Sequence, residues 1–218
     1  MNMMKKSRML LVIAVVSSLL TPSAYAQKGG GGGGKCYDEN SHLINLGIGI
    51  GRSYYKYNHV NGFSSGRTPV FLLSYEQPLR NKVGPGYIGV GGVFAYQNEH
   101  VRYDGRWWYK SDWYDYYYRQ NWDYYIIAGR AAYHWDGLNS GKAEIYGGAE
   151  IGARINTYRY VTNNPDPDYK HEEWNEGSAD GVIAGFIGAR WYFSPNVALY
   201  SEVATGICFI SGGFTFKF

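Results

Sequence analysis

The sequence predicts an all-β chain: an eight-stranded antiparallel up-and-down transmembrane β-barrel. Three observations predict it. Strand-like segments alternate apolar and small or polar residues throughout, and their connections alternate between short and long. The last segment places Phe214, Phe216 and Phe218 on one face and ends there. Three phenylalanines on one face suit a strand whose alternate side chains meet lipid, in a sheet that closes so that no backbone group lacks a partner.

The chain begins with Lys5, Lys6 and Arg8, an apolar run from Met9 to Leu20, and Ala24-Tyr25-Ala26. That is the pattern of a secretory signal peptide over residues 1–26, with cleavage before Gln27. The run is too short to anchor the chain in a bilayer. Residues 27–41 hold six consecutive glycines, Gly29 to Gly34, and are expected to form a flexible tether. Residues 42–218 are assigned to the barrel.

Of the 21 basic and 18 acidic residues, three basic and no acidic ones lie in the leader. The mature chain is therefore balanced, and nothing in its charge favours nucleic acid. The 23 tyrosines, 30 glycines and 18% aromatic content suit a twisted sheet with interfacial aromatics.

The first strand, His42 to Tyr55, sets Leu46, Ile48 and Ile50 against Asn45 and glycines. The second, Thr68 to Leu79, sets Phe71, Leu73 and Tyr75 against Ser74 and Glu76. The third, Tyr87 to Tyr96, turns Ile88, Val90, Phe94 and Tyr96 outward. The fourth, Asp123 to Trp135, sets Tyr125, Ile127, Ala131 and Tyr133 against Arg130 and His134. The fifth, Ala143 to Thr157, has Ile145, Ile151 and Ile155 on one face and Glu144, Glu150 and Arg154 on the other. The sixth, Gly181 to Phe193, points Ile183, Ile187, Trp191 and Phe193 outward and Arg190 inward. Val197 to Gly206 and Phe209 to Phe218 complete the eight. About ten residues per strand, rising ~3.3 Å each and tilted ~45°, span the ~25 Å apolar band of an outer membrane.

The connections Arg80 to Gly86, Asp136 to Gly141 and Ser194-Pro195-Asn196 are short turns. Tyr57 to Arg67, Gln97 to Trp122 and Tyr158 to Asp180 are expected to be long exterior loops, with both mature termini periplasmic. Cys36 and Cys208 would then lie at opposite ends, too far apart to form a disulfide within one molecule.

The stretch from Gly188-Ala189-Arg190-Trp191-Tyr192-Phe193 through Ser194-Pro195-Asn196 to Glu202-Val203, with Phe214 to Phe218, resembles the outer membrane protein beta-barrel domain family. The chain departs from that pattern at Ala204-Thr205-Gly206, where a glycine-aromatic pair is usual. The resemblance implies a small porin-like barrel in the Gram-negative outer membrane. It also implies that Phe214, Phe216 and Phe218 form the signal read by the barrel-assembly machinery.

Candidate sites follow from the faces. Glu76, Arg130, Glu144, Glu150, Arg154, Arg190, Glu202 and Lys217 gather inside, where buried charges must pair, and are expected to form one polar network. The loop residues Trp107, Trp108, Trp113, Tyr116 and Tyr118, flanked by acids and bases, suit an extracellular glycan or protein ligand, or else mark the headgroup belt. The third loop holds Asp166, Asp168, His171, Glu172, Glu173 and Glu176 but lacks the spacing of a calcium loop, so no metal or cofactor is expected. His100, His134 and His171 belong to no Gly-x-Ser-x-Gly context, and no enzyme is expected. The predicted role is a surface-display protein of the cell outer membrane, in contact with outer-membrane lipid. The alternatives are a porin-like channel and a lipid-modifying or proteolytic barrel. A soluble lipocalin-like barrel would have to expose its bands of isoleucine and phenylalanine to water.

Overall fold

The computed structural model describes residues 36–51, 63–79, 81–138, 141–163 and 174–218. Among them run β1 (Leu43–Gly51), β2 (Phe63–Arg67), β3 (Val70–Pro78), β4 (Gly86–Tyr109), β5 (Asp112–Trp135), β6 (Ala143–Thr162), β7 (Trp174–Ser194), β8 (Val197–Ala204) and β9 (Cys208–Lys217). The leader and residues 27–35 of the tether lie outside the described residues.

β1 pairs antiparallel with β3, β2 and β3 pair with β4, each strand from β4 onward pairs with the next, and β9 pairs with β1, so the sheet closes. β2 and β3 both pair with β4, β2 at Glu99–Tyr103 and β3 at Gly89–Tyr96. They are two halves of one barrel strand, interrupted at Thr68-Pro69, where proline has no N–H to donate. Thr68 mends the gap: its amide donates to the Asn98 carbonyl at 2.9 Å, and its hydroxyl accepts from the Asn98 amide at 3.0 Å. The barrel therefore has eight staves, as the alternation predicts.

The face assignment also holds. Ile183 is 79% exposed and Ile187, Ile151, Ile50 and Val203 all exceed 60%, whereas Glu76, Arg190 and Glu144 are buried on the other face. Several glycines on the inner face leave room for their neighbours. A Cβ on Gly91 would stand 1.8 Å from the Tyr75 carbonyl oxygen, and one on Gly188 would meet the Tyr146 ring at 2.6 Å.

The lower end of the barrel carries the short connections and the chain terminus. There Phe218 and His42 exchange backbone hydrogen bonds of 3.0 and 3.1 Å, which extend the β9–β1 pairing just past the start of β1. Phe214, Phe216 and Phe218 are all exposed on the outer face.

The upper end differs from expectation. The stretch Gln97 to Trp122, read as a long loop, is strand almost throughout: β4 and β5 each run 24 residues and join at Lys110-Ser111. Both turn residues have positive φ, 46° and 67°, as a two-residue hairpin requires to match strand twist. β6 and β7 also rise beyond the barrel, to Thr162 and from Trp174. Together β2, β4, β5, β6 and β7 form a wall that stands above the rim on one side.

Residues 36–41 differ too. Within the segment assigned to the tether, Cys36, Tyr37 and Ser41 are buried in the lower mouth.

Candidate functional site

The lumen is layered. At the bottom, Cys36 packs with Tyr192 and Ala198, and its carbonyl accepts a 3.0 Å hydrogen bond from Lys217 Nζ. Tyr37 lies flat on His134, with ring centroids 3.6 Å apart. Burial in this mouth, reinforced by the charge of Glu144, pushes the Cys36 thiol up to about 11.

Next comes a charged layer drawn from strands far apart in sequence. Arg130 on β5 donates to Glu150 on β6 at 2.8 Å and, through both terminal nitrogens, to the two carboxylate oxygens of Glu202 on β8, one of them at 3.1 Å. Its Nε is 3.5 Å from Glu76 on β3. The register explains that reach: Gly91 stands between Glu76 and Arg130 across β3, β4 and β5, and its missing side chain lets them meet. Arg190 on β7 donates to Glu144 at 2.6 Å. His134 joins the two halves, with Nε2 2.5 Å from Glu76 and Nδ1 3.4 Å from Glu144. Both guanidinium groups also lie over rings, Arg130 over Phe186 at 3.7 Å and Arg190 over Tyr146 at 4.0 Å. Tyr146 donates to Glu202 at 2.8 Å.

Six of the eight anticipated network residues therefore meet: Glu76, Arg130, Glu144, Glu150, Arg190 and Glu202. Arg154 instead pairs with Asp180 at 3.1 Å near the upper rim, and Lys217 reaches the Cys36 carbonyl at the lower mouth. The strand tilt and the barrel's length separate these two from the centre. His134 and Tyr146 belong to the layer and were not anticipated in it. The signal was present, since His134 follows Arg130 by four residues and Tyr146 follows Glu144 by two, each on the same face.

Above the charges the inner face turns apolar. Val70, Val93, Ala95, Ile126, Ala128 and Val182 pack together across the lumen with Ile207 and Cys208. Beside it the buried Gln97 is the one amide that borders Val70, Ala95 and Ile126, so among the described residues the layer offers a hydrated ion few partners.

Higher still, the wall carries aromatic rings on the face that continues the inner face. Tyr103 and Tyr118 are stacked at 5.5 Å, Phe63 leans on Tyr103 at 4.9 Å, and Tyr116 and Tyr160 extend the array. Trp122 and Tyr158 form its base, at 5.2 Å. Beside them Asn156 donates to Ser178 and Asp180 at 3.2 and 2.9 Å. Of the anticipated loop residues, Tyr116 and Tyr118 lie in this array. Trp108 and Trp113 pair at the hairpin tip at 5.2 Å, where both are exposed, and Trp107 stands opposite Tyr114 in register.

Of the histidines considered for chemistry, His100 lies exposed on the outer side of the wall and His134 is committed to the charged layer. His171 lies outside the described residues, as do Asp166, Asp168, Glu172 and Glu173. Glu176 is an exposed residue of β7. Neither cysteine forms a disulfide, and they sit at opposite ends of the barrel.

No protein-family model matches the chain, and no curated protein matches it. Solved structures do. Ail, the attachment invasion locus protein of Yersinia pestis, is 14% identical with a TM-score of 0.39, covering 81% of this chain and 93% of its own. A structure of Ail with the heparin analogue sucrose octasulfate gives 10% and 0.38, covering 83% and 96%. The N-terminal beta-barrel domain of Pseudomonas aeruginosa OprF gives 10% and 0.39, covering 83% and 98%. At these identities the likeness is one of architecture alone.

Proposed function

We propose that the chain is an outer-membrane barrel that holds the aromatic wall of β2, β4, β5, β6 and β7 above the cell surface, where the wall engages an extracellular glycan or protein. One observation carries the membrane part: the outer face is a continuous belt of large apolar side chains, Ile183 at 79% exposure among them. In water such a belt would be a severe liability, and in lipid it is the required surface. Tyr96 and Tyr125 bound the belt above, while Trp135 and Trp191 bound it below. The ten steps from Tyr125 to Trp135, at ~3.3 Å each and tilted by ~40°, span about 25 Å.

The short connections and the terminus then face the periplasm, and the wall faces outward. The β9 strand with Phe214 and Phe216, together with Phe218 just beyond it, is what the barrel-assembly machinery reads. The wall supports a binding role because stacked tyrosines beside Asn156, Ser178 and Asp180 offer flat apolar faces next to hydrogen-bonding groups. A display role fits the lumen better than a channel does, since an apolar layer lies across any ion path.

The test compares cells displaying the wild type with cells displaying Tyr103→Ser/Tyr116→Ser/Tyr118→Ser, on arrays of glycans and matrix proteins. Both must show a folded barrel by gel mobility. A ligand retained by the wild type and lost by the variant supports the wall as the binding surface. Identical retention, or none by either, refutes it.

A further inference from the structure

The outer side of the wall is stratified in a way that the binding role of its inner side does not use. Starting from the Tyr96–Tyr125 row and moving up, the next outward row holds Asn98, Asp123 and Thr157. There Asp123 accepts from the Tyr96 hydroxyl at 2.8 Å and from Asn98 at 2.9 Å. The following row is His100, Asn121 and Arg159, and the one above pairs Arg102 directly with Arg119. Higher up, Arg106 lies 3.6 Å from Asp115.

Two arginines directly opposite on neighbouring strands repel each other, and a sheet gains nothing from that pairing by itself. Asp104 meets Arg102 at 2.7 Å, but the Arg119 guanidinium lies over the Tyr117 ring at 5.2 Å, with no carboxylate among the described residues at ion-pair distance. The band sits four to six residues above the aromatic row. At ~3.3 Å per residue and a tilt of ~40°, that is about 10–15 Å above the acyl boundary. The phosphates of a simple phospholipid lie lower, within a headgroup layer of roughly 5–7 Å per side. Phosphates carried on the sugars of a tall glycolipid headgroup reach this height. Paired guanidinium groups are suited to phosphate, which they can grip in bidentate fashion.

We propose that Arg102, Arg119 and Arg159, with His100 beside them, bind the phosphate groups of glycolipids in the surrounding outer leaflet. The site rests on the membrane reading above. It fixes the wall against its own membrane and leaves the aromatic inner side to the external partner.

The test uses the full mature chain in nanodiscs containing phosphorylated lipopolysaccharide, the same lipid enzymatically dephosphorylated, or phosphatidylglycerol at equal charge. The lipid retained through a detergent wash is quantified by mass. The wild type should retain the phosphorylated glycolipid about tenfold more strongly than either other lipid, and Arg102→Gln/Arg119→Gln/Arg159→Gln should lose that preference. Arg106→Gln, on the same face beside Asp115, should keep it. Equal retention by the triple variant, or of the dephosphorylated lipid, overturns the proposal. Complete displacement by excess inorganic phosphate overturns the lipid as the source of the anion. A chain that never enters the nanodisc refutes the membrane reading and this site together, whereas a chain that inserts and shows no preference refutes the site alone.

Discussion

Tyr37 and His134 are stacked face to face, with planes 10° from parallel, so that a residue preceding the first strand closes the floor of the charged layer. The floor is also covalently continuous with Cys36, whose thiol it shelters.

That shelter sets a pH dependence. Burial and the charge of Glu144 raise the Cys36 thiol from its ordinary value of 9.0 to about 11, so the docked segment favours the neutral thiol. Protection is full below about 9 and is lost as pH rises through about 11. In a Cys208→Ser background, alkylation should be slow at pH 8 and accelerate across that window. Tyr37→Ala should move the rate profile down toward the ordinary thiol. Identical profiles for the two proteins would mean that Tyr37 does not hold the segment in place.

Arg130 is the hub of the charged layer, in contact with Glu150, Glu202 and Glu76. Replacing it by methionine leaves carboxylates facing one another without their cation and should cost about 3–5 kcal/mol in denaturant unfolding from lipid. Adding Glu202→Gln should recover part of that loss, because one unpaired charge is removed with its partner. A cost below ~1 kcal/mol for Arg130→Met would show that the layer is solvated, not packed.

Two glycines on opposite faces should behave differently. A Cβ on Gly91 meets the Tyr75 carbonyl oxygen at 1.8 Å, while one on Gly185 finds nothing nearer than the Gly148 carbonyl oxygen at 3.9 Å. Gly91→Ala should leave most of a refolding preparation unfolded, and Gly185→Ala should change stability by less than ~0.5 kcal/mol. Refolding yield on a gel distinguishes them, and equal yields would contradict the close approach across β3 and β4.

The apolar layer of Val70, Val93, Ile126 and Val182 predicts an electrically silent barrel. Planar bilayers containing the folded protein should show no unitary current steps. Reproducible steps of one size would require a path around that layer.

The sequence made the lipid-facing residues legible because their period is two: Leu46, Ile48 and Ile50, or Ile145 and Ile151, declare a face without help from any other strand. It also placed Arg130, Glu150 and Glu202 inside. It could not say that they touch, because Arg130 and Glu202 are 72 residues apart and meet only when the sheet closes. The inner apolar layer went unread because Val70, Val93 and Val182 contradict the polar interior expected of such a barrel. The wall was hidden for a different reason. Its hairpin turns on Lys110-Ser111, which lacks the glycine or asparagine that usually marks positive φ, and its strands are too polar to resemble membrane staves. The docked segment Cys36–Ser41 offered no periodic signal beside its run of glycines.

Closure of a lipid-facing barrel between β9 and β1, with Phe218 and His42 exchanging backbone hydrogen bonds beside that ladder, underlies the whole reading. Its most direct test is cell fractionation with heat-modifiable gel mobility, comparing the wild type with a deletion of Phe218. The wild-type protein should be found in the outer membrane and migrate differently when unboiled, and the deletion should assemble poorly. A soluble periplasmic protein with one mobility, indifferent to the loss of Phe218, would contradict it.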